Sequence, residues 1–177
     1  MVAGKLKIIL IVFGTLSETL IPHVMEGLNR EFQAQVVRGK NLPLPDRAYD
    51  SRRRQYRAED FIPPLARQRQ GRGDLVLGVT AVDLFVPQLN FVFGLADPRQ
   101  RTAVISVARL DPRFYQQPPD PALLQERALK EAVHELGHLL GLPHCDNPRC
   151  IMYFSNTLAD TDRNGPGFCP ACRGKIP

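Results

Sequence analysis

His134, Glu135, His138, Gly141 and His144 all fall within one stretch, HELGHLLGLPH, and three of the chain's four histidines are there. Two imidazoles at i and i+4 of a helix project from one face and can share a single zinc at about 2.0–2.1 Å. Glu135 then lies beside the ion without binding it, where it can accept a proton from water whose pKa the metal lowers toward about 7. A catalytic zinc takes three protein ligands and leaves one corner open. His144 supplies the third ligand if the chain folds back after the helix, a turn that Gly141 permits and Pro143 encourages. The competing readings are chance histidines on a surface helix, or core histidines satisfied by hydrogen bonds. Five required residues at fitting spacings favour zinc.

All four cysteines follow immediately: Cys145-x4-Cys150, then Cys169-x2-Cys172. Four soft ligands in two close pairs suit a closed, tetrahedral, structural zinc that does no hydrolysis itself. Paired disulfides are disfavoured by the expected reducing compartment. A redox CxxC at Cys169-Pro170-Ala171-Cys172 would need a helix and strands behind it, and only five residues follow Cys172. Because His144 and Cys145 are neighbours serving different ions, their side chains must diverge, and the second ion can hold the first site's loop in register.

Together these residues resemble the metzincin clan of zinc peptidases and, within it, the archaemetzincins, in which HExxHxxGxxH is joined by a four-cysteine cluster entwined with a methionine. The matching stretch runs from residue 134 to 172. The resemblance implies a zinc-dependent metallopeptidase with two zinc ions per chain, one catalytic and one structural. His134, His138 and His144 would hold the first; Cys145, Cys150, Cys169 and Cys172 the second. Peptide bonds would be hydrolysed by a zinc-activated water with Glu135 as general base, on a peptide or protein substrate. Met152 would be the methionine of the turn beneath the catalytic metal, although a gap-filling core methionine fits the same place. Tyr153 reads as a packing residue rather than an oxyanion donor. From another functional class, the alternative is a hydrolytically idle, zinc-stabilised binding module acting through its basic surface; an intact Glu135 argues against it.

The elements that must position this chemistry are partly visible. Residues 6–13 are a continuous apolar, β-branched run, as in central strands buried on both faces. Ser17 is the expected cap of a helix reaching Phe32, with Leu20, Val24, Leu28 and Phe32 on one stripe, and Gln35–Val37 a second strand. The arginine-rich stretch 41–73 reads as polar and mobile, with a helix near 47–60 and a break at Pro63-Pro64. Asp74–Thr80 is another buried strand. Asn90–Leu95 and Ala103–Arg109 read as an antiparallel hairpin, whose first strand would match the metzincin edge strand that pairs with extended substrate or be an ordinary hairpin strand. Asp120 then Pro121 starts a helix that runs to Leu140, with a left-handed exit at Gly141 and Leu123, Leu124, Leu129, Val133, Leu136, Leu139 and Leu140 supplying its apolar face. The expected fold is α/β: a twisted mixed sheet with an antiparallel edge strand, flanking helices, a zinc-binding active-site helix and a C-terminal zinc-stapled subdomain. It forms one domain, 1–177, with sheet and helices in 1–119 and the metal regions in 120–177.

At 177 residues and 44% hydrophobic, the chain suits one core. No apolar run nears the roughly 20 residues that span a membrane, and residues 8–13 are too short an apolar run for a secretory signal. A cytoplasmic monomer is expected. The net charge of +5 owes much to Arg52–Arg54, Arg67, Arg69 and Arg72. Interspersed acids and the absence of interleaved aromatics point to a solvated face rather than a nucleic-acid site.

Overall fold

The computed structural model describes residues 5–155 and 157–176; residues 1–4, 156 and 177 of the expected unit lie outside it. The chain opens with β1 (Lys7–Phe13), α1 (Leu20–Phe32) and β2 (Gln35–Arg38), the expected β-α-β unit. Next come β3 (Tyr49–Asp50), β4 (Gln55–Arg57), α2 (Ile62–Ala66), β5 (Leu75–Thr80), β6 (Leu84–Phe85), β7 (Gly94–Asp97) and β8 (Thr102–Ser106). The long α3 (Pro121–Leu139) precedes the short α4 (Leu158–Arg163) and α5 (Pro170–Arg173). The main sheet runs β2-β1-β5-β8-β7, parallel except for β7, which is antiparallel to β8 and forms one edge. A small second sheet, β3-β4-β6, was not anticipated.

Alternation along β1 divides the core. Ile8, Leu10 and Val12 pack with Val24 and Leu28 of α1 and with Ala132, Val133 and Leu136 of α3. Ile9, Ile11 and Phe13 pack on the other side with Phe61, Ile62 and Leu65. Both faces are dry, which is why the strand reads as an unbroken apolar run. β1 is paired on both edges, although β5 is the middle strand.

Several expectations are corrected. Thr19, not Ser17, precedes α1, and no side chain caps it; the Ser17 carbonyl accepts from Leu20 N–H at 3.2 Å. No helix covers 47–60. Asp46–Ala48 and Ala58–Phe61 are 3-10 turns flanking β3 and β4. Pro63-Pro64 does not break a helix but sits in the first turn of α2, where missing N–H groups cost nothing. Ala48, Ala58, Phe61, Ile62 and Leu65 of this stretch are buried against the sheet. The edge strand begins at Gly94, not Asn90.

The helix α3 begins and ends as the sequence indicates. Asp120 accepts from Leu123 N–H at 3.0 Å. At the other end Gly141 N–H bonds the His138 carbonyl and Leu142 N–H the Gly137 carbonyl, both at 3.0 Å, with Gly141 at φ 91°. This is the paired-bond exit that a left-handed glycine allows. Leu123, Leu124, Leu129 and Leu140 are only half-buried, and Ala128, Ala132, Val133, Leu136 and Leu139 reach deeper. The helix also buries Arg127, which donates to both Asp162 carboxylate oxygens at 2.8 Å and to the Leu110 carbonyl at 2.9 Å. Lys130 reaches the carbonyls of Thr161 and Asp162. These bonds pin α4 to the back of α3. Because Asp162 is 41% exposed while Arg127 is 8% exposed, removing the acid strands a buried cation. Asp162→Ala is expected to lower unfolding free energy by about 2 kcal/mol in denaturant titration; no loss of stability would show that the pair contributes nothing.

Candidate metal centre and cleft

His134 and His138 project from adjacent turns of α3, with ring centroids 4.7 Å apart. The Nδ1 of His134 lies 2.7 Å from the Ile151 carbonyl, and that of His138 lies 2.8 Å from the Leu142 carbonyl. A carbonyl only accepts, so each Nδ1 carries the hydrogen and each Nε2 keeps its lone pair. Burial holds both rings below the usual imidazole range, His134 down to about 4, which keeps them neutral. Their Nε2 atoms face each other at 3.0 Å. Two lone pairs at that distance repel unless a cation lies between them. His144, folded back by the Gly141 exit, brings its ring to 4.8 Å and 5.3 Å from the other two. A ligand atom from each of the three lies within 4.8 Å of the others. For tetrahedral zinc the corresponding separation is about 3.4 Å, so small side-chain adjustment completes the fit.

The four cysteine sulfurs also lie within 4.8 Å of one another, and all are free thiols. Cys145 Sγ and Cys169 Sγ are 3.9 Å apart, near the roughly 3.8 Å edge of a tetrahedral zinc site built from four thiolates. The backbone N–H of Cys172 holds the Cys169 thiol down to about 7, while burial pushes the Cys150 and Cys172 thiols up. The donor set, spacing and absence of disulfides suit a metal.

The connecting loop joins the two clusters mainly through its backbone. Cys145 N–H bonds the Met152 carbonyl, Ile151 N–H bonds the Gly167 carbonyl, both at 2.9 Å, and the Ile151 carbonyl orients His134. Met152 is fully buried beneath α3, where a Cβ on Gly137 would collide with its Sδ and lie 3.1 Å from Phe168.

In front of the histidines is a cleft of about 750 Å³, bounded by β7, by the rim 86–93 and by Phe154. Its walls are mostly apolar. Glu135 sits at its base, pressed against the edge strand: a Cβ on Gly94 would come within 2.7 Å of its Cγ and Oε1. Burial pushes the Glu135 carboxyl up, and it does the same to Glu131, one turn earlier and hydrogen-bonded to it. Glu131, Gly94, Gly137 and Phe154 are not among the expected site residues, although the i, i−4 spacing of Glu131 from Glu135 is visible in the sequence. Tyr153 does not line the cleft, whereas Phe154 does and packs against His144 with centroids 4.7 Å apart.

Gly137→Ala is expected to displace the Met152 thioether, destabilise the chain by about 1–3 kcal/mol and reduce retained zinc on dialysis. Unchanged stability and zinc content would show that the close approach is dispensable.

The sequence profile of peptidase family M54 matches residues 20–177. An archaemetzincin of Pyrococcus abyssi is 48% identical over 145 residues, covering 81% of this chain and 77% of that protein. One of Thermococcus kodakarensis is 42% identical over 178 residues, covering 97% and 96%. Among solved structures, the archaemetzincin of Methanopyrus kandleri superposes with TM-score 0.85 at 38% identity, covering 98% of this chain and 94% of that one. A zinc-dependent peptidase from Methanocorpusculum labreanum gives 0.87 at 33% identity, covering 96% and 100%. With the sheet order and paired clusters in place, the match over nearly the whole chain decides the assignment: this protein belongs to peptidase family M54, the archaemetzincins, and is a zinc metallopeptidase.

Proposed function

We propose that the chain hydrolyses peptide bonds in the cleft between α3 and β7, with Glu135 as general base and His134, His138 and His144 as ligands of a catalytic zinc. The observation that carries this is the pair of Nε2 lone pairs held 3.0 Å apart by carbonyl-bound Nδ1 hydrogens, with a carboxyl on the residue after the first histidine. When bound there, zinc supplies Lewis acidity, lowering the pKa of water and drawing charge from a carbonyl oxygen.

The chain's own groups do the rest. The edge strand β7 offers unpaired backbone groups to an extended peptide, which places the scissile carbonyl before the histidines. As a water oxygen adds to the carbonyl carbon, Glu135 takes its proton; it then delivers that proton to the leaving amine nitrogen as the C–N bond breaks. Burial, with Glu131 beside it, raises the Glu135 carboxyl, which favours the protonated form that hands the proton on. Gly94 admits the carboxylate close to the strand on which the peptide lies. No covalent intermediate forms on the protein.

The four cysteines hold a second, structural zinc, giving two ions per chain, and Met152 underlies the first. Residues 1–177 act as one catalytic unit. Among the described residues no helix is long and apolar enough to cross a membrane.

Glu135→Gln is expected to keep its zinc and lose peptidase activity by about 10²–10⁴-fold, assayed with a quenched fluorescent peptide library. Full activity in that variant would remove Glu135 from its role. Metal analysis should give two zincs per wild-type chain, with His144→Ala lowering retention of the catalytic ion first and Cys169→Ala the structural one. One zinc in the wild type, or loss of the same ion from both variants, would refute the division.

A further inference from the structure

We propose that Arg53, together with Gln55, is a positioning residue for substrate: it holds the rim 86–93 in the shape that receives a peptide. This rests on the reading that the cleft binds peptide beside β7.

The rim forms one wall of the cleft through Val86, Leu89, Asn90, Phe91, Val92 and Phe93. It has little regular structure of its own. Its backbone is held by Leu89 N–H to the Val86 carbonyl, Val92 N–H to the Leu84 carbonyl, and Ser106 N–H to the Phe93 carbonyl. Between these the carbonyls of Leu89 and Asn90 depend on a side chain from far away in sequence. Arg53 Nη2 donates to both, at 2.8 and 2.9 Å. Its guanidinium lies over the Phe85 ring, 4.2 Å from the centroid, and its Nε donates to Gln55 Oε1 at 3.0 Å. Gln55 is buried, and its Nε2 donates to the Asn90 carbonyl and to Asp83 Oδ2, each at 2.9 Å. Asp83 is gripped in turn by Arg109 at 2.7 and 2.8 Å, and the Arg109 guanidinium lies 4.3 Å from the Phe91 centroid. The rim is thus fixed by a carbonyl at Asn90 and by a ring at Phe91, through one continuous polar chain.

Arg53 is itself aimed. In the β3–β4 turn, Asp50 Oδ1 accepts from the N–H groups of Arg52 and Arg53 at 2.9 and 3.0 Å, and Arg54 adopts φ 56°. A side-chain-capped turn with a left-handed arginine is an unusual expense for a solvated face, and it delivers one guanidinium to the rim. The planar guanidinium matters, because its Nη2 bonds two carbonyls while its Nε holds Gln55 and its face stacks on an aromatic ring. A lysine ammonium, a point charge on a shorter reach, cannot make all three contacts at once. The small second sheet therefore serves the cleft, and one arginine of the run 52–54 has a specific task.

The test uses the full zinc-loaded chain and a quenched peptide long enough to span the cleft. Arg53→Ala is expected to raise KM about tenfold with kcat within about twofold, the pattern of lost uniform binding. Zinc content should stay at the wild-type value, and amide hydrogen exchange should quicken at residues 86–93 but not in α3. Arg53→Lys should recover part of the KM and part of the protection. Unchanged KM and exchange in Arg53→Ala would overturn the proposal. So would a fall in kcat accompanied by zinc loss and faster exchange throughout, which would make Arg53 a general stabiliser. Wild-type protein that cleaves no peptide, matching Glu135→Gln, would instead overturn the catalytic reading, and exchange at 86–93 would then decide the tether by itself.

Discussion

His134 and His138 each commit a ring N–H to a backbone carbonyl, and so their remaining lone pairs are driven to confront one another across 3.0 Å. The surrounding fold maintains that confrontation. The Leu142 carbonyl that orients His138 exists where it does because Gly141 turns the chain out of α3, and the same turn carries His144 toward the other rings. The Ile151 carbonyl that orients His134 belongs to the loop that buries Met152. One pair of backbone excursions therefore both sets the tautomers and closes the ligand set, a division of labour between ligands and their supporting carbonyls common in metal sites.

Two glycines bring neighbouring elements close enough for this to work. Gly137 lets the Met152 sulfur lie directly beneath the helix, and Gly94 lets the Glu135 carboxyl rest against the edge strand. In each case the missing methyl is required by a side chain from another part of the chain. Neither glycine has a positive φ, so the need is for space and not for backbone freedom.

This distinction explains what the sequence disclosed. The histidines, Glu135 and the cysteines were legible because their geometry is local: one helical turn, one glycine exit, two short cysteine spacings. The strands β1 and β5 and the helices α1 and α3 were legible for the same reason, each carrying its own periodicity. The stretch 41–73 is less legible because its short elements take their places from contacts with distant strands. Ala58, Phe61, Ile62 and Leu65 do stand at helical spacing, but the segment is too short and proline-rich to read as a helix, and these residues and Ala48 are buried beneath Ile9, Ile11 and Phe13. Glu131 shows the limit within a helix: a carboxylate one turn from Glu135 looks like a solvated side chain until β7 is packed over it. Gly94 and Arg53 act through partners remote in sequence, which no local spacing reveals.

His144 and Cys145 are consecutive, so any ions held by the two clusters share a single peptide unit as their boundary. Ordering the thiolate cage restricts the φ and ψ of that unit, and with them the directions open to the neighbouring imidazole. The backbone torsions that aim the Cys145 sulfur are therefore tied to those that aim the His144 ring, and a shift at either cluster is passed to the other through one peptide unit.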